Sequence, residues 1–389
     1  MRTPLDSGEL RVGIVGLGWM GQVHARALSR LTQHYADVPL RPRLVAVADT
    51  ATDDRLQRSV DAYGIEYLLS DWRELVVRDD IDLVCVTGPN FIHRDVAVAA
   101  AQAGKHLWVE KPAGRNSAET REIAAAVEAA GVQSGAGFNY RNAPAVEYAR
   151  ELIASGRLGK INHVSIKFLA DYAAHPQGAL SWRFRNEYSG SGVLGDLVSH
   201  AADLGRYVVG ELSELVVDDA RFIPQRPEAV GAASHFSRGA DGPLLEVENE
   251  DYVAALLRFE NGARGMLESS RSDVGEQCTY GISVHGETGA LSWDFRRMGE
   301  LQVCLDQDYQ NASYSTLYMT PGQGEMGAFQ PGAGIAMSYD DLKVIEAKRL
   351  VDSIADGKPH GATIHDAVVA AEIVDAMLES VAGRKWVTL

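Results

Sequence analysis

Cysteine is scarce in this chain of 389 residues. Cys85, Cys278 and Cys304 form an odd, widely spaced set. They match no disulfide framework and no zinc spacing, so no metal and a reducing compartment are expected. Positive charge is also under-represented: 37 Lys and Arg stand against 53 Asp and Glu, a net charge of −16. Such a balance repels phosphate backbones and anionic lipid, so neither nucleic acid nor membrane is expected as a partner. No run of about 18 apolar residues suggests a transmembrane helix. The opening MRTPLDSGEL lacks the apolar stretch of a secretory signal, and a cytoplasmic location is the expectation. What remains is 46% hydrophobic and 23% charged, a composition for packed cores rather than disorder. At ~150 residues per domain the length suggests two domains.

The first third alternates short apolar strands with helical patterns. Leu10–Val15, Leu44–Ala48, Leu83–Thr87 and His106–Val109 read as strands. Helical patterns occupy Trp19–Leu31 and roughly 54–63, 71–78, 92–103 and 117–130. This alternation predicts a parallel sheet covered on both faces. From Ile161 the pattern changes to strands joined by turns, at 161–170, 214–223, 252–259, 263–270, 279–285 and 301–305. That predicts an antiparallel or mixed sheet. Two helical patterns, 339–356 and 363–380, close the chain, the second with a capping-box-like Thr363 and Asp366. Residues 211–251 carry ten acids and three bases, and the closing run Glu246–Asp251 reads as a solvated loop. The Gly-rich stretch 320–334 reads as a long loop.

Gly16-Leu-Gly18-Trp19-Met20-Gly21 follows the first strand and opens a helix, the context a dinucleotide fingerprint requires. Gly16 permits the tight turn, Gly18 lets a pyrophosphate approach the backbone, and Gly21 lets helix and strand pack closely. Asp49 ends the second strand, 28 residues after Gly21, and the surplus over the usual spacing is assigned to a loop at Thr32–Arg43. A carboxylate there favours NAD over NADP, although Arg55, Arg41 or Arg43 could offset it, so NADP is not excluded. Thr87, Pro89, Asn90 and His93 follow the third strand and should border the cofactor crevice. Glu110-Lys111-Pro112 follows the fourth strand, where Lys111 is either a surface lysine or a group facing the ligand crevice. The last constellation runs from Ser189 to Asp203. Asp196 and His200 are four apart and share one helix face, with Asp203 three further on. A histidine near a helix N-terminus is favoured in its neutral form and can accept a proton from an alcohol. The alternative is that Asp196 caps the helix and His200 is a core histidine.

Taken together, Gly16–Gly21, Glu110-Lys111-Pro112, Trp182-Arg183 and Gly195-Asp196 with His200 and Asp203 resemble the Gfo/Idh/MocA family, the glucose–fructose oxidoreductase and inositol dehydrogenase group. The likeness runs from about Leu10 to the end of the chain. Phe138–Arg141, Ser181–Phe184, Tyr207–Gly210 and Tyr339–Glu346 resemble the branch that includes levoglucosan dehydrogenase. The resemblance implies an α/β fold, with an N-terminal Rossmann domain (1–140) and a C-terminal α/β domain (141–389) built on a large open, mostly antiparallel sheet. It implies a homodimer or homotetramer, NAD as cofactor, and a small carbohydrate as substrate. It places the family's catalytic lysine on Lys111 and its aspartate and histidine on Asp196 and His200. Glu110 and Lys111 join the cofactor-binding set, and Tyr140, Arg141, Trp182 and Arg183 form a substrate wall. The implied reaction is hydride transfer between nicotinamide and a hydroxyl-bearing carbon of a sugar, inositol or sugar derivative. A redox-neutral enzyme that retains its NAD and passes through a keto-sugar is the alternative. A sensor on the same fold is disfavoured by Lys111, Asp196 and His200.

Overall fold

The computed structural model describes residues 8–51, 53–229, 237–239, 241–305 and 308–389. The chain forms two compact units, Met1–Asn139 with Ser338–Val369, and Tyr140–Met337 with Ala370–Leu389. The first boundary lies beside the expected one. The expected undivided C-terminal domain, 141–389, needs correction: residues 338–369 return to the first unit.

The first unit contains β1 (Glu9–Val15), α1 (Trp19–His34), β2 (Arg41–Ala48), α2 (Asp54–Ala62), β3 (Tyr67–Leu69) and α3 (Trp72–Val76). It continues with β4 (Leu83–Val86), α4 (Asn90–Gln102), β5 (His106–Val109), α5 (Ser117–Ala130) and β6 (Ser134–Ala136). All six strands are parallel, in the order β3-β2-β1-β4-β5-β6. β4 is buried along its whole length, the mark of a parallel strand covered on both faces. The order reverses direction between β1 and β4, and ligands of such sheets bind at that switch point, outside the carboxyl ends of the strands. The expected Thr32–Arg43 loop is shorter than predicted, because α1 runs on to His34 and β2 starts at Arg41. The returning segment is tied to β6: Ala136 N–H donates to the Ala362 carbonyl and Ile364 N–H to Ser134 Oγ.

The second unit opens with α6 (Pro144–Ala154) and β7 (Ile161–Leu169), followed by α7 (Asn186–Ser189) and α8 (Ser199–Val209). Its remaining strands are β8 (Leu212–Ala220), β9 (Gln225–Pro227), β10 (Leu244–Glu246), β11 (Tyr252–Phe259), β12 (Arg264–Ser270) and β13 (Thr279–Gly286). β14 (Gly289–Asp294), β15 (Glu300–Leu305), β16 (Ser315–Tyr318) and the short α9 (Met326–Phe329) follow. The chain closes with α10 (Tyr339–Asp356), α11 (Ile364–Gly383) and β17 (Val387–Thr388). Nine strands form one mixed sheet, β16-β15-β14-β13-β7-β12-β11-β8-β17, in which only β7 and β12 run parallel. Val164, Ile166 and Phe168 of β7 point to one buried face, as their alternation predicts. Among the described residues no helix is long and apolar enough to cross a membrane.

Candidate active site

The glycine turn is built as its spacing requires. Gly16 sits at φ +89°, and Gly21 packs so tightly that a Cβ would lie 2.1 Å from the Gly16 carbonyl oxygen. The Thr87 hydroxyl donates to that carbonyl at 2.7 Å, so Thr87 braces the turn. Gly18 is the N-cap of α1, makes no side-chain cap, and has open space where a Cβ would stand. A 16-residue helix thus starts with unsatisfied N–H groups facing an open cradle, which fits a pyrophosphate. Asp49, just beyond β2, accepts the Leu17 N–H at 2.8 Å and the Ala51 N–H at 2.9 Å. Its carboxylate is therefore fixed against the glycine turn. Arg43 is engaged elsewhere, with Glu9 and Glu66.

The other residues expected to border the cofactor crevice fall into two kinds. Trp19 is 66% exposed and stacks on Tyr339, whose hydroxyl meets the Met20 sulfur. Pro89 and Asn90 start α4. His93 is buried, and its ring nitrogens face the Gly88 carbonyl (2.8 Å) and the Pro112 carbonyl (2.9 Å), tying the β4 turn to the turn that carries Lys111. Glu110 turns its carboxylate into the core: Oε1 meets His24 Nε2 and Lys343 Nζ, and Oε2 accepts the Lys111 N–H. The Lys111–Pro112 peptide bond is cis.

In the second unit the Gly-rich turn leads into helix through one π-type turn, Leu194–Val198, before α8. His200 is therefore deeper in the helical run than its place near an α-helix start suggests, and the dipole argument for its neutral form weakens. Its ring meets Tyr140 edge-on at 4.8 Å, and its carbonyl accepts the Tyr280 hydroxyl. Asp196 Oδ2 accepts the Tyr172 hydroxyl at 2.5 Å. Burial and the neighbouring Asp196 push the Tyr172 phenol well above its ordinary range, so it stays a donor. Burial lowers the Arg183 guanidinium, against the opposing charge of Asp196, and Arg183 lies over the Trp182 ring. Arg141 is committed to Asp203 by a buried two-point ion pair and lies over Tyr207. This pair accounts for Arg141 and Asp203 by structure. A carboxylate hydrogen-bond acceptor, an imidazole and an aromatic wall are parts that suit a polyhydroxylated ligand.

The acidic run is solvated only in part: Glu246 and Glu248 are exposed, and the rest turns inward. Val247, Asn249, Glu250 and Asp251 are all buried. Glu250 Oε1 accepts the N–H groups of Gly192 and Leu194 at 2.8 and 2.9 Å, clamping the turn before Asp196. Asn249 donates to the Arg183 carbonyl and to Ser189 Oγ, and Arg271 bridges Asn249 and Asp251. Charge density alone does not separate the two kinds of acid, because a buried carboxylate is tolerated where backbone N–H groups or a guanidinium satisfy it. Tyr172 and Arg271 also escaped the sequence reading. Neither stands in a motif, and only the register of β7 and β12 brings their segments together.

Residues 10–138 match the model of an oxidoreductase family with an NAD-binding Rossmann fold, and residues 146–292 match the GFO/IDH/MocA C-terminal domain. The levoglucosan dehydrogenase of Pseudarthrobacter phenanthrenivorans is 34% identical over 97% of this chain and 98% of its own. The myo-inositol 2-dehydrogenase of Thermotoga maritima is 26% identical over 98% of each. The solved complex of levoglucosan dehydrogenase with NADH and levoglucosan has a TM-score of 0.89 and 31% identity, covering 98% of this chain and 99% of that one.

Proposed function

The chain belongs to the GFO/IDH/MocA family of oxidoreductases, and from that premise we propose that it is an NAD-dependent dehydrogenase of a neutral carbohydrate, acting on a CH–OH carbon. An anhydrosugar of the levoglucosan type is the first substrate to test, with inositols next. The likeness to levoglucosan dehydrogenase across both units carries this reading. Asp49 supports NAD over NADP, because its carboxylate would repel a 2′-phosphate while Arg43 is held by Glu9 and Glu66.

When bound, NAD supplies the hydride acceptor. Gly16–Gly21 and the start of α1 hold the phosphates, and Asp49 holds the adenosine ribose. His200 accepts the proton of the reacting hydroxyl. Lys111 stabilises the negative charge that develops on that oxygen. Asp196, which accepts the Tyr172 hydroxyl, orients His200 or takes a neighbouring hydroxyl of the substrate. Trp182 and Tyr140 give the apolar face that a sugar ring packs against, and Arg183 donates to its oxygens.

The test is NADH appearance, read by its near-ultraviolet absorbance, with NAD and separately NADP against anhydrosugars, inositols and glycosides. Turnover with NAD and an anhydrosugar or inositol is expected. Absence of turnover with every compound, together with NAD released on denaturation, would replace this reading with the redox-neutral one.

A further inference from the structure

Helix α10 lies outside both segments that the family models match, yet it belongs to the first unit. Its first turn is laced to α1. Tyr339 stacks on Trp19, Asp340 pairs with Arg26 at 2.5 Å, and Asp341 pairs with Arg30 at 2.9 Å. One turn further on is Lys343, a fully buried ammonium. It donates to Glu110 Oε1 at 2.5 Å and to Glu346 Oε1 at 2.9 Å, and lies over the Trp108 ring. His24 Nε2 is 2.9 Å from the same Glu110 oxygen, and the Trp108 indole donates to Glu346 at 2.6 Å. The other Glu110 oxygen accepts the backbone N–H of Lys111 at 3.3 Å. Lys343, Glu110 and the Lys111 backbone therefore form one hydrogen-bonded chain.

Burial and the Lys343 charge set the titration of this cluster. Burial drives the His24 imidazole down to about 4, so it is neutral and donates from Nε2. Burial pushes Glu346 up to about 7, against the pull of Lys343. Burial also opposes ionisation of Glu110, but the Lys343 charge and the His24 hydrogen bond outweigh it and hold that carboxyl well below its ordinary range. The ionised pair is Lys343 with Glu110. An ion pair in a dry core is weak as a stabiliser and strong as a constraint on geometry, since either charge alone is costly there.

We propose that Lys343 is a positioning residue for the reaction: through Glu110 it fixes the turn that presents Lys111. This rests on the reading above that Lys111 acts on the substrate oxygen. A group so placed is sensitive to small displacements, because a shift of about 1 Å near the reacting atoms can cost ~10²-fold in rate.

The experiment uses the full-length enzyme with Lys343→Met, Lys343→Arg, Lys111→Ala and the double variant Lys343→Met/Glu110→Gln. Turnover is read with NAD and levoglucosan, melting by calorimetry, and amide hydrogen exchange at Lys111 by NMR. Lys343→Met should lower kcat at least ~10-fold with a smaller change in KM. Exchange at the Lys111 amide should rise at least ~10-fold while Leu107 and Trp108 of β5 keep their protection. The double variant removes the stranded carboxylate, so it should recover melting temperature but not kcat; Lys343→Arg should recover part of both. Recovery of kcat along with melting temperature in the double variant would make Lys343 structural only and overturn the proposal. So would wild-type exchange at Lys111 in Lys343→Met. If Lys343→Met does not fold, the double variant and Lys343→Arg decide. Full turnover in Lys111→Ala would instead reject the role given to Lys111. Should levoglucosan not be turned over, the exchange measurement decides alone.

Discussion

Gly21 has no room for a methyl group, since its Cβ would press on the backbone oxygen of Gly16 at 2.1 Å. Gly21→Ala should destabilise the first unit by ~1–3 kcal/mol and weaken NADH binding, measured by melting and by fluorescence titration. His200→Ala should lower kcat at least ~10²-fold with NADH affinity near wild type, and unchanged turnover would remove His200 from the mechanism. Glu346 makes a pH prediction. Its carboxyl is raised from 4.5 to about 7 in the fold, so the folded state binds more proton across that window. Its contribution to stability is full below the unfolded value and is lost as pH rises through the folded one. His24, lowered from 6.5 to about 4, has the opposite slope over much of that range. Comparing wild type with Glu346→Gln cancels the histidine: from pH 5 to 8 the wild type should lose melting temperature relative to the variant. At this scale the glycine turn was legible, because its positive φ and close approach are set by backbone geometry within a short stretch. Tyr172 was not, because its partner Asp196 is distant in sequence.

Among the elements, the segment Asn249–Asp251 shows how charge can mislead. Its side chains satisfy backbone N–H groups at Gly192, Leu194, Phe222 and Ile223. Glu250→Ala leaves two buried N–H groups without an acceptor, a cost of about 1–3 kcal/mol per group. A lower melting temperature and a raised KM for the sugar are expected, whereas Glu250→Gln keeps an acceptor and should remain near wild type. Burial pushes the Glu250 carboxyl up, so its amide replacement is a mild change. Helix ends were read unevenly. At the expected box, Asp366 accepts the Thr363 N–H and the Thr363 hydroxyl accepts from His365 N–H. The complete box is at Ser338 and Asp341, the start of α10. Both sites have an acid three residues after a hydroxyl.

For the whole molecule, the strand–helix alternation of the first third and the turn-linked strands after Ile161 were enough for the two architectures. Periodicity of apolar residues records which face each element buries. The glycine turn between the first strand and the first helix was likewise readable, since it is a local pattern with a local cause. The very short strands β3, β6 and β17 were not, because two or three residues carry no period. Nor was the return of residues 338–369 to the first unit, or the partnership of Lys343 with Glu110 across 233 positions. Tertiary structure alone decided these. A buried ion pair and a strand at a sheet edge are selected by which surfaces lose water together, and that follows from how the finished elements pack rather than from the order of residues within any one of them.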